Sequence, residues 1–179
     1  ICHPCSIWYM QLAFDVAAGL APELAMELVR AVRHMTEGAL LEENTRASAI
    51  SSRTSNRIVE LKTGALFRWC ALSASTVSGI KPEENCARIG AEAGSAFQIV
   101  DDVLDIEGDP DACGKDVLKD ISAGKFTLPV ILALNSPGSG PKAAELLSKL
   151  KTSAAADLAP ALALAELVRN GGFTEAARD

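Results

Sequence analysis

Three clustered aspartates, Asp101, Asp102 and Asp105, are surrounded by apolar residues, and their chemistry is that of cation binding. Residues 94–109 read G-S-A-F-Q-I-V-D-D-V-L-D-I-E-G-D. On a helix, Asp101 and Asp105 lie one turn apart on the same face, with Asp102 beside them and Gln98 almost one turn away. Carboxylates among apolar side chains are costly to bury unless a cation neutralises them. Because the candidate ligands are all oxygens, the pattern favours Mg²⁺ or a similar hard ion over zinc.

An acidic, solvated helix face or an N-cap turn is the alternative interpretation of this cluster. Apolar residues flank the aspartates, among them Phe97, Val100, Val103 and Leu104. Charged residues are almost never fully buried unless they are paired, and no helix-breaking residue adjoins the cluster. A cation site is therefore the favoured hypothesis.

The composition favours a single all-α domain. The chain has 179 residues, of which 49% are apolar and only 4% aromatic. Abundant Ala and Leu favour helices, whereas strands depend more on Val, Ile, Thr and aromatic residues. The formal net charge is −6 and no basic patch is present, which argues against a nucleic-acid partner. No apolar run has the length of a membrane span.

The cysteines indicate reduced thiols and a cytoplasmic protein. Their number, five, is odd, and the apolar residues from Ile1 onward show neither a basic n-region nor a small-residue cleavage site. Cys2 and Cys5 have the spacing of a zinc-binding pair. A structural zinc site needs two more ligands, and beyond His3 only His34 is available as a histidine. A metal role for this pair is the weaker hypothesis.

Helical periodicity and end signals divide the chain into helices joined by polar or Gly/Pro-rich connections. Pro22 suits the first turn of the second helix, while Thr54 or Ser55 and Gly79 suit the two ends of the third. The third helix is apolar nearly all round from Gly64 onward, so we expect that part to be buried. The predicted helices span residues 7–20, 22–43, 54–79, 83–107, 130–134, 142–151 and 157–169.

Two further groups of polar residues have ordinary structural explanations when each group is considered alone. Lys62 and Thr63 stand at the edge of the apolar part of the third helix, where a lysine can extend its head to water. Lys115 and Lys125 alternate with acids such as Asp120 in what reads as a solvated, charged loop.

The order of the motifs makes the combination specific. K-T-G occurs at 62–64, F-Q-x-x-D-D-x-x-D at 97–105, G-K-x-x-x-x-D at 114–120 and G-K-x-T-x-P at 124–129. This series resembles the trans-isoprenyl diphosphate synthases, also called the polyprenyl synthetase family. The resemblance extends over roughly residues 11–175. It implies an all-α, isoprenoid synthase-type helical bundle around a central cavity, usually assembled as a homodimer.

The resemblance also implies a reaction. Enzymes of this family join an allylic diphosphate to isopentenyl diphosphate, forming a longer linear isoprenyl diphosphate and releasing pyrophosphate, with Mg²⁺ as cofactor. Metal ions and lysines stabilise the charge that grows on the leaving group. A closed apolar cavity keeps water from the allylic cation. The Ala/Leu-rich helices are candidates for its lining.

The metal-binding roles carried over from the family fall on the aspartates. The resemblance assigns Asp101 and Asp105 as the metal-facing carboxylates, with Asp102 supporting them. Asp120 matches a nearby family acid and joins the expected metal-binding set.

The substrate-binding roles fall on the lysines and their neighbours. The resemblance implies that Lys62 and Thr63 contact the allylic diphosphate and that Gln98 lies near the allylic end. Lys115 and Lys125 match family lysines beside the same diphosphate.

Parts of the family pattern are absent from residues 1–179. The first aspartate-rich motif and the arginine pair that follows it do not occur, and residues 1–10 match the family poorly. We therefore expect one partial synthase domain, truncated at its N-terminus and also at its C-terminus, and catalytically incomplete by itself. There are three competing explanations: a fragment of a larger synthase, a sequence from which residues are omitted, and a non-catalytic or regulatory subunit.

A class I terpene cyclase is the other enzymatic alternative. Such enzymes also use an aspartate-rich helix and magnesium, but they lack the K-T-G and G-K-x-T-x-P motifs that occur here. Product chain length depends on residues before the first aspartate motif, and no such residues are present in this sequence.

Overall fold

The computed structural model describes residues 3–45, 51–81, 83–108, 118–152 and 157–178, and these residues form helices and turns without any strand. No described helix is both long and apolar enough to cross a membrane. The α-helices are His3–Leu20, Pro22–Thr45, Ser52–Val59, Ala65–Ser78, Glu83–Glu107, Lys119–Ser122, Leu128–Asn135, Gly140–Thr152, Ala159–Asn170 and Phe173–Arg178, and a π-helical segment spans Glu60–Gly64.

The prediction of an all-α fold is confirmed, and the helix containing the three aspartates has the predicted bounds. We call this helix, Glu83–Glu107, the aspartate helix. Gly79 ends the helix before it in the left-handed conformation, with φ 70° and its N–H directed at the carbonyls of Ser75 and Thr76. That is the C-terminal cap the sequence predicts. Two short helices, Lys119–Ser122 and Phe173–Arg178, were not predicted because each is too short to show a helical period.

The predicted helix over 54–79 is wrong in one respect, because it is interrupted. Its π-helical segment, Glu60–Gly64, contains the K-T-G motif. Single π-helical turns are rare and are frequently found at functional sites. Periodicity in the sequence does not detect such a turn, because it inserts only one extra residue into the helix.

The expectation that this helix is buried from Gly64 onward is also wrong. Within Ala65–Ser78 only Ala65 and Ser75 are buried, and Val77 is 61% exposed. The segment is rich in apolar residue types, but most of its side chains are half-buried or exposed.

The described helices form two compact units, Ile1–Ala39 with Glu60–Ser95, and Leu40–Val59 with Ala96–Asp179. In the first unit, Ala17, Leu24 and Leu28 form a small buried cluster. Trp69 packs on this cluster and donates its indole N–H to the carbonyl oxygen of Leu24 at 3.0 Å. That bond satisfies the polar end of a half-buried aromatic ring.

The second unit is built around the short helix Leu128–Asn135. Its residues Val130 and Ile131 are fully buried, and it contacts the helices Ser52–Val59, Gly140–Thr152, Ala159–Asn170 and Phe173–Arg178. The Ala/Leu-rich helices that follow place their apolar residues in this core, with Leu164 and Val168 fully buried. The C-terminal helices thus complete a core, whereas the sequence suggested them as a cavity lining.

Gly38 permits a close approach between the second helix and the π-helical segment. A Cβ atom at Gly38 would lie 2.8 Å from the Cβ of Leu61 and 3.0 Å from the backbone nitrogen of Lys62. Non-bonded carbon atoms are normally about 3.5–4.0 Å apart. The absence of a side chain at Gly38 therefore helps to fix the position of Lys62.

We predict opposite effects of two glycine-to-alanine changes. Gly38→Ala should lower the free energy of unfolding by about 1–3 kcal/mol, because the added methyl overpacks the contact with Leu61 and Lys62. Gly19→Ala, also within a helix, meets no atom within 4 Å and should be neutral or raise the free energy of unfolding by up to about 1 kcal/mol. Urea titration followed by circular dichroism measures both, and equal effects of the two changes would contradict the packing argument.

Candidate functional site

The aspartate helix buries two of its three motif carboxylates. Asp102 and Asp105 are 7% and 5% exposed, while Asp101 is half-buried. Gln98, one turn before Asp102, donates its side-chain N–H to Asp102 Oδ1 at 2.9 Å. The four-residue spacing read from the sequence therefore produces a real contact, which fixes one oxygen of Asp102.

The Asp102 carboxylate lies in an environment with excess negative charge. Burial raises its pKa, and although the hydrogen bond from Gln98 lowers it, the charges of Asp120 and Asp101 raise it further. Lys125 provides a smaller opposing effect, and the resulting pKa of Asp102 is about 7. A carboxylate with so high a pKa is one that a nearby cation would stabilise.

Lys125 is the cation of this group. Its Nζ lies 2.6 Å from Asp120 Oδ1, and the two side chains are 33% and 18% exposed. Burial lowers the pKa of Lys125, but the hydrogen bond and charge of Asp120 outweigh this effect, with help from Glu42 and Asp102, so that the pKa is raised overall. Lys125 therefore stays protonated at neutral pH and can bind an anion.

Asp105 accepts hydrogen bonds from the backbone of residues 118–120, which we call the return segment. Its Oδ1 accepts the N–H of Lys119 at 3.1 Å and its Oδ2 accepts the N–H of Asp120 at 3.0 Å. Its main-chain oxygen also accepts the N–H of Leu118 at 2.8 Å. Asp105 thus connects two segments of the second unit.

Three predicted site residues remain. Lys62 and Thr63 belong to the first unit, where both are half-buried on the π-helical segment. Lys115 lies outside the described residues. The structure thus brings together Gln98, Asp101, Asp102, Asp105, Asp120 and Lys125 within the second unit.

The donor set of the second unit suits a hard dication. Among the described residues, no three His, Cys, Asp or Glu side chains are grouped closely enough to enclose a metal ion by themselves. The buried Asp102 nevertheless has two acidic neighbours, and every donor among them is an oxygen. Such a set matches Mg²⁺, which commonly takes only one or two protein carboxylates and completes its shell with water and substrate phosphate.

Sequence reasoning missed Glu42 and Leu118. Glu42, near the end of the second helix, contributes to the raised pKa of Lys125. Leu118 has φ 61°, the only positive φ among the described residues other than glycine. No motif identifies Glu42, because an acid near the end of a helix is normally interpreted as a solvated residue. Leu118 could not be predicted as a turn residue, because leucine rarely adopts the left-handed conformation.

Comparison with known proteins decides the family. The polyprenyl synthetase family model matches residues 5–165, which is most of the chain and includes all the motifs described above. The chain belongs to the polyprenyl synthetase family. The match extends over residues 5–165, where the motifs indicated a resemblance over roughly residues 11–175.

Individual relatives of this family member support the assignment. The chain is 32% identical over 127 residues to the octaprenyl diphosphate synthase of Escherichia coli (strain K12), covering 69% of this chain and 39% of that enzyme. It is 31% identical over 146 residues to the nonaprenyl diphosphate synthase of Mycobacterium tuberculosis (strain ATCC 25618 / H37Rv), covering 80% of this chain and 43% of that enzyme. The chain therefore spans less than half the length of these two relatives.

The fold of this family member is also that of solved polyprenyl synthases. The polyprenyl synthase of Caulobacter crescentus CB15, complexed with calcium and isoprenyl diphosphate, matches with a TM-score of 0.83 and 28% identity. The match covers 92% of this chain and 51% of that one. The polyprenyl synthetase of Streptomyces coelicolor A3(2) matches with a TM-score of 0.82 and 27% identity, covering 94% and 53%. The all-α fold predicted from the sequence is thereby confirmed as that of a synthase.

We predict that Asp102→Asn stabilises the metal-free chain in a pH-dependent way. The folded-state pKa of Asp102, about 7, lies above its ordinary value of 3.8, so the folded state holds the proton more tightly than the unfolded state does. The contribution of Asp102 to the stability of the folded state is therefore fully present below about pH 4 and is lost as the pH rises through 7. Asparagine retains the oxygen that accepts from Gln98 but carries no charge.

Thermal unfolding in EDTA should thus show a rise in melting temperature for Asp102→Asn that is largest at pH 8 and shrinks toward pH 4. Glu166→Gln, which changes an exposed acid in the same unit, is the matched control and should show little change at either pH. A gain for Asp102→Asn that is the same at both pH values would contradict the assignment of burial as its cause.

Proposed function

We propose that this chain provides part of the diphosphate-binding machinery of a prenyltransferase. The reaction is the condensation of an allylic diphosphate with isopentenyl diphosphate to a longer linear isoprenyl diphosphate, with release of pyrophosphate. The proposal rests on one observation. The buried Asp102 carboxylate accepts a hydrogen bond from Gln98 and lies among acids whose combined negative charge a cation would neutralise. A metal ion bridging to a diphosphate would meet this requirement, and family membership supports the choice of substrate.

The proposed cofactor is Mg²⁺, held by Asp101, Asp102 and Asp120. When bound, it would neutralise negative charge on the diphosphate and so assist its departure from the allylic carbon. Gln98 fixes one oxygen of Asp102, leaving the other available to the cation. The proposal of magnesium rests on the oxygen-only donor set of these carboxylates.

Lys125 is the proposed diphosphate-binding lysine of the second unit. It is charged, partly exposed and already oriented by Asp120 at 2.6 Å. A phosphate oxygen can accept another of its three N–H donors without breaking this ion pair. Lys62, Thr63 and Lys115 are proposed as further diphosphate contacts on the basis of their motifs alone.

Water exclusion is the other requirement of the reaction. Ionisation of the allylic carbon–oxygen bond produces a cation that bound water would capture. Val103 and Ile106, which alternate with the aspartates, are 0% and 1% exposed. The carboxylates therefore adjoin one closely packed side of the helix, which restricts the approach of water from that side, whereas Val100 and Leu104 on another side are 47% and 39% exposed.

We also propose that the protein is a homodimer, with the first helix at the interface. Large apolar side chains on His3–Leu20 are exposed in the single chain, among them Ile7 at 65%, Tyr9 at 60% and Val16 at 56%. Apolar surface of this extent on a single helix is typical of an association surface. A second copy is the proposed occupant because homodimers with self-complementary interfaces are the commonest oligomers.

We predict that the chain binds a non-hydrolysable allylic thiolodiphosphate in a magnesium-dependent manner. EDTA should abolish the binding, because the carboxylates and the diphosphate repel each other without a cation. Lys125→Gln should weaken the binding by about tenfold to a hundredfold, the typical loss of a hydrogen bond to a charged group. Isothermal titration calorimetry of the whole chain measures both effects.

Lys149→Gln is the matched control for this experiment. Lys149 is an exposed lysine of the second unit whose Nζ lies 2.7 Å from Glu145, and it should be replaceable without effect on the ligand. Binding that is equally tight in EDTA, or equally weakened by the two lysine changes, would refute the proposal.

We predict that Val16→Glu shifts the chain toward the monomer. The introduced charge would be buried at the proposed interface without a partner, which is strongly unfavourable. Val77→Glu changes a similarly exposed valine on another helix and should leave the mass unchanged. Sedimentation equilibrium measures both variants, and a Val16→Glu chain that sediments with the same mass as the wild type would exclude this helix as the interface.

A further inference from the structure

Three consecutive backbone N–H groups converge on Asp105. Leu118 donates to the main-chain oxygen at 2.8 Å, while Lys119 and Asp120 donate to the two carboxylate oxygens at 3.1 and 3.0 Å. Leu118 is in the left-handed conformation, with φ 61° and ψ 20°, and is followed directly by the short helix Lys119–Ser122. Successive N–H groups in such alternating conformations form a concave anion-binding nest. Here, the anion within the nest is a side chain of the protein itself.

The conformation of Leu118 shows that this arrangement is enforced by its surroundings. A left-handed leucine costs about 1–2 kcal/mol relative to the ordinary helical conformation. Leu118 is nevertheless 6% exposed and packs in the same buried cluster as Ile106 and Ile121. Strained residues persist where packing and hydrogen bonds determine them jointly. The bonds to Asp105 and the burial of Leu118 are these two determinants.

The nest connects Asp105 to the groups proposed to bind the diphosphate. Asp120, held through its N–H by Asp105, accepts the N–H of Lys125 at its main-chain oxygen at 2.9 Å. It accepts the ammonium group of Lys125 at its carboxylate as well. A displacement of the Asp120 backbone would therefore move both the acid and the lysine. On the other side, Arg169 donates to the carbonyl of Ile106 at 2.7 Å and holds the end of the aspartate helix.

We propose that Asp105 is a positioning residue and does not ligate the cation. Both of its oxygens are directed at backbone amides and the residue is 5% exposed, whereas Asp101, one turn before it, is half-buried. Asp105 acts through Asp120 and Lys125 by holding the backbone from which they extend. This inference rests on the proposed function, and it replaces the metal-facing role that the motif implies for this residue.

Amide hydrogen exchange tests the anchor directly. In the wild-type chain, the N–H groups of Lys119 and Asp120 should be protected, and Asp105→Asn should accelerate their exchange by about tenfold or more, because the amide side chain offers only one acceptor oxygen. The exchange of amides in Leu128–Asn135 serves as the internal control for global unfolding. Wild-type exchange at both positions as fast as at exposed amides would overturn the inference.

A change of metal specificity tests whether Asp105 is a ligand. Replacing a direct Mg²⁺ ligand by cysteine disfavours magnesium and favours a soft, thiophilic ion such as Cd²⁺. Asp101→Cys should therefore lose magnesium-supported binding of the allylic thiolodiphosphate and regain it with Cd²⁺. Asp105→Cys should lose binding in magnesium and should not regain it with Cd²⁺, since its defect lies in the position of Asp120 and Lys125.

The amide-exchange and metal-specificity experiments together distinguish failure of this inference from failure of the proposed function. Recovery of Asp105→Cys by Cd²⁺ to the same extent as Asp101→Cys would overturn the positioning role. If the wild-type chain bound no diphosphate, the proposed function would fail, and amide exchange in the wild type and Asp105→Asn would still decide the role of Asp105. Wild-type protein in Cd²⁺ is the control for the native cysteines, of which Cys70 is exposed.

Discussion

The burial of the Asp102 carboxylate beside Asp101 and Asp120 is the interaction on which the site depends. An ionised carboxylate in a poorly hydrated position is unfavourable, and its acidic neighbours add repulsion, as the pKa of about 7 reflects. The chain tolerates this cost through one hydrogen bond from Gln98 and one nearby ammonium group, that of Lys125. An arrangement that is unfavourable without a ligand is one that a cation and a diphosphate can complete. The same imbalance that weakens the metal-free fold would thus strengthen the binding of a dication.

Much of the second unit serves to hold these groups in place. The C-terminal helices bury Leu164 and Val168 in the core, and from that core Arg169 reaches the end of the aspartate helix. Arg178 pairs with Glu107 on the same helix end, and a hydrogen bond with Thr174, followed by Arg178, keeps the pKa of Glu107 below its ordinary value despite partial burial. The aspartate helix is therefore fixed at its C-terminal end by both the return segment and the last helices. Rigid support of this kind is what a site needs to keep charged groups at short range.

The sequence predicted more of the fold than of the contacts. The aspartate helix was located correctly because its apolar period is long and Gly108 stops it. The π-helical segment at Lys62 was not predicted, because it adds only a single residue to a helical period. For Asp105, motif spacing alone suggested a metal ligand. The return of Leu118, Lys119 and Asp120 onto its oxygens is a long-range event that no local pattern encodes.

The sequence by itself determined the helical class, the positions of the main helices and the family, because periodicity, capping residues and four ordered motifs are local properties of the chain. It also predicted that carboxylates on the aspartate helix need a cation, since their apolar neighbours are visible in the sequence. Only the tertiary structure decided which carboxylate is buried among acids, which is engaged by backbone amides, and which lysine stands beside them. These distinctions depend on segments far apart in sequence, such as Asp105 and Asp120, whose meeting is set by packing of the core.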